Sequence, residues 1–185
     1  MIEAELELTH ITINGLTIVG AIPVAALHEV LGPPQRIVDP AAPAPVGHRN
    51  NQIHVYDSLG TYFYEHHFTH LAMAIAFVFW PEEQHFKYTP TQSFAGRLIL
   101  AGYDVPACVS ERELTEKTRL HWNNQLKGTW SVTSGEFSIG FDTIGERLKS
   151  GRRSDRRRVV SIDASWPHDP TLGAKPKQQR SGDIV

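Results

Sequence analysis

Between Thr69 and Trp80 the chain reads THLAMAIAFVFW, and its side chains alternate in size rather than in polarity. Leu71, Met73, Ile75, Phe77 and Phe79 fall on one face; Ala72, Ala74, Ala76 and Val78 fall on the other. A period of two with both faces apolar predicts a strand buried on both sides, the central strand of a sheet. At 12 residues the run is too short for a membrane-crossing helix, which needs about 20.

The flanking pattern supplies the other elements. Leu6–Ile13 and Leu16–Val19 enclose Asn14-Gly15, a pair that tolerates positive φ and so marks a tight hairpin. Pro23 suits a first helical turn, and Val24, Leu27, Val30 and Leu31 recur at helical spacing until Gly32 and two prolines stop the helix. Five prolines between residues 33 and 50 predict an extended surface loop. Gln52–Tyr56 and Thr61–Tyr64 form a second hairpin that feeds the central strand, which suggests an antiparallel meander. Phe94–Tyr103 resumes strand character. Ser110 with Glu113 reads as a capping box, opening a helix that runs to about Leu126 and ends at Gly128. Ser134-Gly135 joins two further strands, and Val159–Ala164 is a last one. The expectation is α+β: a largely antiparallel sheet with two or three helices packed on one face. Residues 1–166 make one domain, and Pro, Gly, Lys and Gln after Pro167 predict a disordered tail over 167–185.

Composition narrows the class. The N-terminal decapeptide has three glutamates and no Lys or Arg, unlike a secretory leader, which points to the cytoplasm. A single cysteine, Cys108, excludes an internal disulfide and a multi-thiolate zinc site. Charge is segregated: residues 1–145 carry net −7 and residues 146–185 net +5, an acidic body with a basic end.

Chemistry-bearing residues are few. His66, His67 and His70, beside Glu65, could ligate a transition metal, but the helical His-Glu-x-x-His arrangement is absent and surface histidines at a turn explain them as well. Cys108 with His121 has no nucleophile motif around it, and the apolar Val-Pro-Ala-Cys-Val context suits an inert buried thiol. No G-x-S-x-G elbow, P-loop or G-x-G-x-x-G occurs. Five arginines between Arg152 and Arg158 suit phosphate contacts, yet aromatic interleaving is missing, and a solvated loop before an edge strand accounts for them equally. Tyr56, Asp57, Tyr62, Tyr64 and Glu65 gather at the second hairpin, where they serve either protein recognition or strand packing. The residues call for no cofactor and no catalytic constellation.

Five pieces stand in order along residues 10–105. They are Ile11-Thr12-Ile13-Asn14-Gly15, Gly20-x-x-Pro23, Leu31-Gly32-Pro33-x-x-Arg36, Val55-Tyr56-Asp57-x-x-Gly60, and Phe94-x-Gly96-x-Leu98-x-Leu100-x-Gly102-x-x-Val105. The series resembles bacterial immunity-type proteins encoded beside the toxins of contact-dependent systems such as type VI secretion. That resemblance implies a non-enzymatic binder that occludes the active site of a cognate toxin. Were that toxin a nuclease, acidic side chains would meet its basic cleft. Asp57, Glu65, Glu82, Glu83 and Asp104 on turns, with Tyr56, Tyr62 and Tyr64, are then the expected contacts.

Overall fold

The computed structural model describes residues 1–39, 52–66, 69–84, 86–126, 128–135, 137–147 and 153–166. In chain order come β1 (Glu3–Leu6), β2 (Ile11–Ile13), β3 (Leu16–Ile18), β4 (Ile22–Pro23), α1 (Val24–Leu31), β5 (Arg36–Val38), β6 (Gln52–Tyr56), β7 (Thr61–Glu65) and β8 (Leu71–Val78). A 3-10 turn (Pro81–Glu83) then precedes β9 (Arg97–Leu100), β10 (Tyr103–Asp104), α2 (Glu111–Thr118), β11 (Asn123–Leu126), β12 (Thr129–Ser134), β13 (Phe137–Arg147) and β14 (Arg153–Ser165).

The strands form two sheets, not the single sheet expected. The smaller has the order β10-β9-β1-β2-β3, and its β1–β9 pair is parallel. The larger has the order β11-β12-β13-β14-β8-β7-β6-β5, with β4 also paired to β8. The size-alternating strand is central, as its pattern predicts: β7 flanks it on one side and β14 on the other.

Alternation explains how the layers meet. Ala4, Leu6, Ile11, Ile13, Leu98 and Leu100 leave the small sheet on one side and pack with Phe63, Ile75, Phe77, Phe141 and Ile162 of the large one. Leu27 of α1 and Leu114 of α2 join the same core, so both helices and the small sheet cover one face. Each such buried Leu, Ile or Phe side chain contributes about 1.5–3 kcal/mol. The opposite face of the large sheet carries a separate cluster of Ile53, Val55, Tyr62, Ala76 and Val78.

Local chemistry fixes several joints. Asn14 (φ 47°) and Gly15 (φ 85°) make the first hairpin turn. The Asn14 carboxamide accepts from Glu3 N at 2.8 Å and donates to Val30 O at 2.9 Å, tying the hairpin to β1 and α1. The two described helices include α2, which is shorter than its sequence suggests. Arg119 turns left-handed (φ 54°), and Trp122 swings onto Phe141 at 4.7 Å instead of continuing the helix. The cap itself is half a box: Ser110 Oγ accepts from Glu113 N at 3.2 Å, but the Glu113 carboxylate accepts from Tyr103 Oη at 2.9 Å. Gly128 serves the β11–β12 turn rather than a helix end.

Two further expectations change. Arg36–Val38 of the proline-rich stretch forms the edge strand β5, while residues 40–51 lie outside the described residues. The arginine run is no loop: from Arg153 onward it belongs to β14, paired there with β13 while β8 joins only at Ser161–Ser165, and Arg152 lies outside the described residues. The predicted tail over 167–185 also lies outside them. Among the described residues no helix is long and apolar enough to cross a membrane.

Candidate functional site

The residues of β6 and β7 that point into the main core include a histidine and a glutamate. His54 is 2% exposed and Glu65 5% exposed, so neither can go unpaired. The β6–β7 register, Gln52↔Glu65 and His54↔Phe63, puts His54 and Glu65 two residues apart on the same face. His54 Nε2 lies 2.5 Å from Glu65 Oε2, and the His54 ring stacks on Phe63 at 4.5 Å. The second carboxylate oxygen of Glu65 lies 2.5 Å from His70 Nδ1. On the far side, His28 of α1 brings Nε2 to 3.1 Å from His54 Nδ1. The result is a continuous chain, His28–His54–Glu65–His70, with a buried centre and two more accessible ends.

Proton placement follows from the acceptors. An ionised carboxylate only accepts, so His54 Nε2 and His70 Nδ1 carry hydrogens and donate to Glu65. With its hydrogen on Nε2, His54 offers Nδ1 as the acceptor for His28 Nε2–H. Burial alone would raise Glu65, but the hydrogen bonds from His70 and His54 outweigh it and hold the carboxyl below its usual range. Burial chiefly, and the neighbouring His54 imidazole next, lowers His28.

The opposite face of the large sheet presents a different chemistry. Tyr62 and Tyr64 of β7 meet Tyr88 from the loop after the 3-10 turn, at centroid distances of 5.2 Å (Tyr62–Tyr88) and 6.2 Å (Tyr64–Tyr88). Phe86, 60% exposed, stacks parallel on Tyr88 at 5.2 Å. The next polar positions on this face are Asp163 of β14, opposite Gly140, and Asp142 of β13, opposite Ser161. A Cβ at Gly140 would come within 2.9 Å of the Asp163 carboxylate, so a side chain there would push that carboxylate aside. Asp163 reaches solvent yet is crowded by protein, which pushes its carboxyl up to about 6, with the Asp142 charge adding to the effect. Burial chiefly, and neighbouring charge including Asp163, raises Tyr62 and Tyr64, so both stay neutral hydroxyl donors.

The loop that carries Tyr88 is clamped from below. Arg36 Nε and Nη2 bind the two oxygens of Asp57 at 2.8 and 3.0 Å, and Nη2 also donates to Thr89 O at 2.7 Å. Arg36 Nη1 donates to Lys87 O, and Asp57 accepts from Thr91 N at 2.9 Å. The hydrogen bond from Arg36 is the main cause that lowers the Asp57 carboxyl.

The sequence-predicted residues therefore separate. Tyr56 is fully buried and donates to Gly32 O at 3.0 Å; it packs the core and is not an exposed anchor. Glu65 is likewise buried, not exposed at a turn, because the histidines claim it. Asp57 holds a loop. Glu83 is bound to Arg158 at 2.8 Å, and the Arg158 guanidinium lies 3.9 Å above Trp80. Asp104 is exposed on the small sheet, paired with Arg97. Glu82 is exposed on the 3-10 turn. Tyr62 and Tyr64 are brought together, although Tyr62 is largely covered.

The histidine cluster does not converge as read from the sequence. The His66 ring faces Thr69 Oγ1 at 3.1 Å while His70 turns to Glu65, and His67 lies outside the described residues. Among the described residues no group of His, Cys, Asp and Glu is placed to hold a metal. Cys108 is exposed rather than buried, and it lines a different cleft from His121. His28, His54, Phe86, Tyr88, Asp142 and Asp163 were missed from sequence. A polar His54 amid the apolar alternation of β6 was the one available signal.

Residues 3–115 match a family described as a domain of unknown function (DUF7738), and the chain belongs to that family. The match runs from β1 into α2, so it holds the histidine–glutamate chain and the aromatic ladder but not β13 or β14. No curated protein and no solved structure matches.

Proposed function

We propose that this DUF7738 member is a cytoplasmic immunity-type protein that neutralises a cognate antibacterial toxin, a nuclease being the leading candidate, by covering its active site. It acts by surface complementarity and not by catalysis. The observation that carries this reading is the outer face of the large sheet. There Phe86, Tyr88, Tyr64 and Tyr62 form a ladder of rings beside Asp163 and Asp142, with exposed Glu82 on the turn that opens the same loop. Rigid aromatics supply contact area at low entropy cost, and they are common anchors of protein interfaces. Carboxylates next to them suit a basic cleft built for phosphates and speed the encounter. The Arg36–Asp57 clamp holds the loop in place before any partner arrives, which lowers the ordering cost of binding.

The experiment is co-expression with the product of the adjacent reading frame, scored by growth and by co-purification. Rescue is expected, with Phe86→Ala and Asp163→Asn each weakening the complex at least roughly tenfold. Failure to rescue growth with folded protein would overturn the function. Rescue that survives both substitutions would move the interface elsewhere on the molecule.

A further inference from the structure

β14 lies against the start of α2 away from the aromatic ladder. Val159 N donates to Val109 O at 3.0 Å, and Ser110 bridges to Arg158, so strand and helix start are laced together. Between them opens a cleft of about 590 Å³, lined by Cys108, Ser110, Glu111 and Arg112 on one side and Arg156, Arg157 and Arg158 on the other. Arg158 turns its guanidinium away to Glu83 and Trp80, so Arg112, Arg156 and Arg157 share this lining with a single carboxylate, Glu111.

That carboxylate already behaves as a resident anion. Glu111 Oε2 lies 3.0 Å from Arg157 Nε and accepts from Thr143 Oγ1 at 3.0 Å. Arg157 is held independently of it, donating to Thr143 Oγ1 at 2.7 Å and Thr143 O at 2.9 Å, so its fork is fixed before a ligand arrives. Arg112 pairs only with Glu116 in solvent, a weak contact that an incoming anion displaces readily. The volume lies within the roughly 300–1,000 Å³ of single small-molecule sites. Among the described residues its lining has no aromatic side chain, so these offer the bases of a nucleic-acid strand no stacking platform.

We propose that this cleft binds a small phosphate- or pyrophosphate-bearing anion, with Arg112, Arg156 and Arg157 as donors and Glu111 as the internal carboxylate it displaces. Because Cys108 is the chain's one cysteine and is exposed at the cleft, its thiol reports occupancy directly.

The test is calorimetric titration of the full chain with inorganic pyrophosphate, paired with the rate at which a disulfide reagent modifies Cys108. Saturable binding that slows thiol modification is expected. Arg156→Gln with Arg112→Gln should weaken binding at least roughly tenfold, since charge-assisted bidentate contacts are lost. Glu111→Gln should tighten it several-fold, because the amide oxygen still accepts from Thr143 while the competing charge is gone. Absence of heat and of thiol protection at millimolar pyrophosphate overturns the proposal. So does binding indifferent to all three substitutions, which would be unspecific attraction. Binding of a single-stranded oligonucleotide that pyrophosphate fails to displace would make the cleft a nucleic-acid surface instead.

Discussion

His54 sits between two partners with opposite demands. Glu65 requires a hydrogen on His54 Nε2, while His28 finds an acceptor at Nδ1 only as long as His54 is neutral. A proton on His54 Nδ1 would set two N–H groups facing each other at 3.1 Å, whereas one added to His28 goes to its free Nδ1 and keeps Nε2–H as the donor. His28 is lowered chiefly by burial and further by His54, so in the folded state it resists the protonation that the unfolded chain accepts near pH 6.5. Below about pH 6.5 the unfolded state binds more protons, so stability declines until the pH passes the lower folded value. Glu65 and Asp57 act lower on the scale. Their carboxyls are held below the ordinary value, so their contribution is present above about pH 4 and is lost as the pH falls through the folded values. Urea midpoints measured between about pH 7.5 and pH 3 should thus fall in two steps. His28→Gln should remove the upper step and leave the lower one. An unchanged upper step in that variant would place its source outside the histidine chain.

Turns and strands differ in how far local sequence governs them, and glycine shows the limit. Gly15 and Gly60 both sit at positive φ, 85° and 66°, and both sit in turns of a kind the sequence announces. A Cβ at Gly15 meets nothing within 4 Å, whereas one at Gly60 would lie 2.2 Å from Phe94 N. Gly15→Ala should cost about 1–2 kcal/mol, the left-handed penalty alone. Gly60→Ala should cost clearly more, because the Phe94 N–Val78 O bond at 2.6 Å must open to admit the methyl. Comparable urea midpoints for the two variants would show that the loop yields freely. The hairpins at Asn14-Gly15 and Ser134-Gly135, the α1 stop at Gly32 and the central β8 were legible because each is decided within a few residues. The end of α2 was not, since packing of Trp122 on Phe141 overrides a continuing helical pattern. Nor was the second sheet, because the parallel β1–β9 pair joins Glu3 to Arg97 across about half of the chain. The site suffered the same way. His66 and His70 are neighbours in sequence with divergent rings, while His28, His54 and Glu65 meet only after the β6–β7 register and the docking of α1 exist. Arginines at 156–158 looked like a solvated loop because nothing local marks them as part of β14, whose pairing with β13 brings them into the sheet.

At the scale of the molecule, the family match and the structural unit have different boundaries. Residues 3–115 include β8 but exclude β14, its neighbour across five paired positions from Ser161↔Val78 to Ser165↔Ala74. The excluded part also closes the core: Ile139, Phe141, Val159, Ile162, Ala164 and Trp166 are all buried, and the Trp166 indole donates to Ala72 O at 2.9 Å. Removing these side chains forfeits on the order of 10 kcal/mol of apolar burial, against a typical domain stability of about 5–15 kcal/mol. It also strips one edge of β8, leaving a long apolar strand open to unwanted pairing. The aromatic–acid face crosses the same boundary, with Phe86, Tyr88, Tyr62 and Tyr64 on one side and Asp142 and Asp163 on the other. A fragment ending at residue 115 should therefore show no cooperative thermal transition, and it should self-associate. Residues 1–166 should unfold in one transition that all probes report together. A cooperative, monomeric 1–115 fragment would show that β13 and β14 are an appendage, and the tyrosine ladder would then have to bind a partner without the two aspartates.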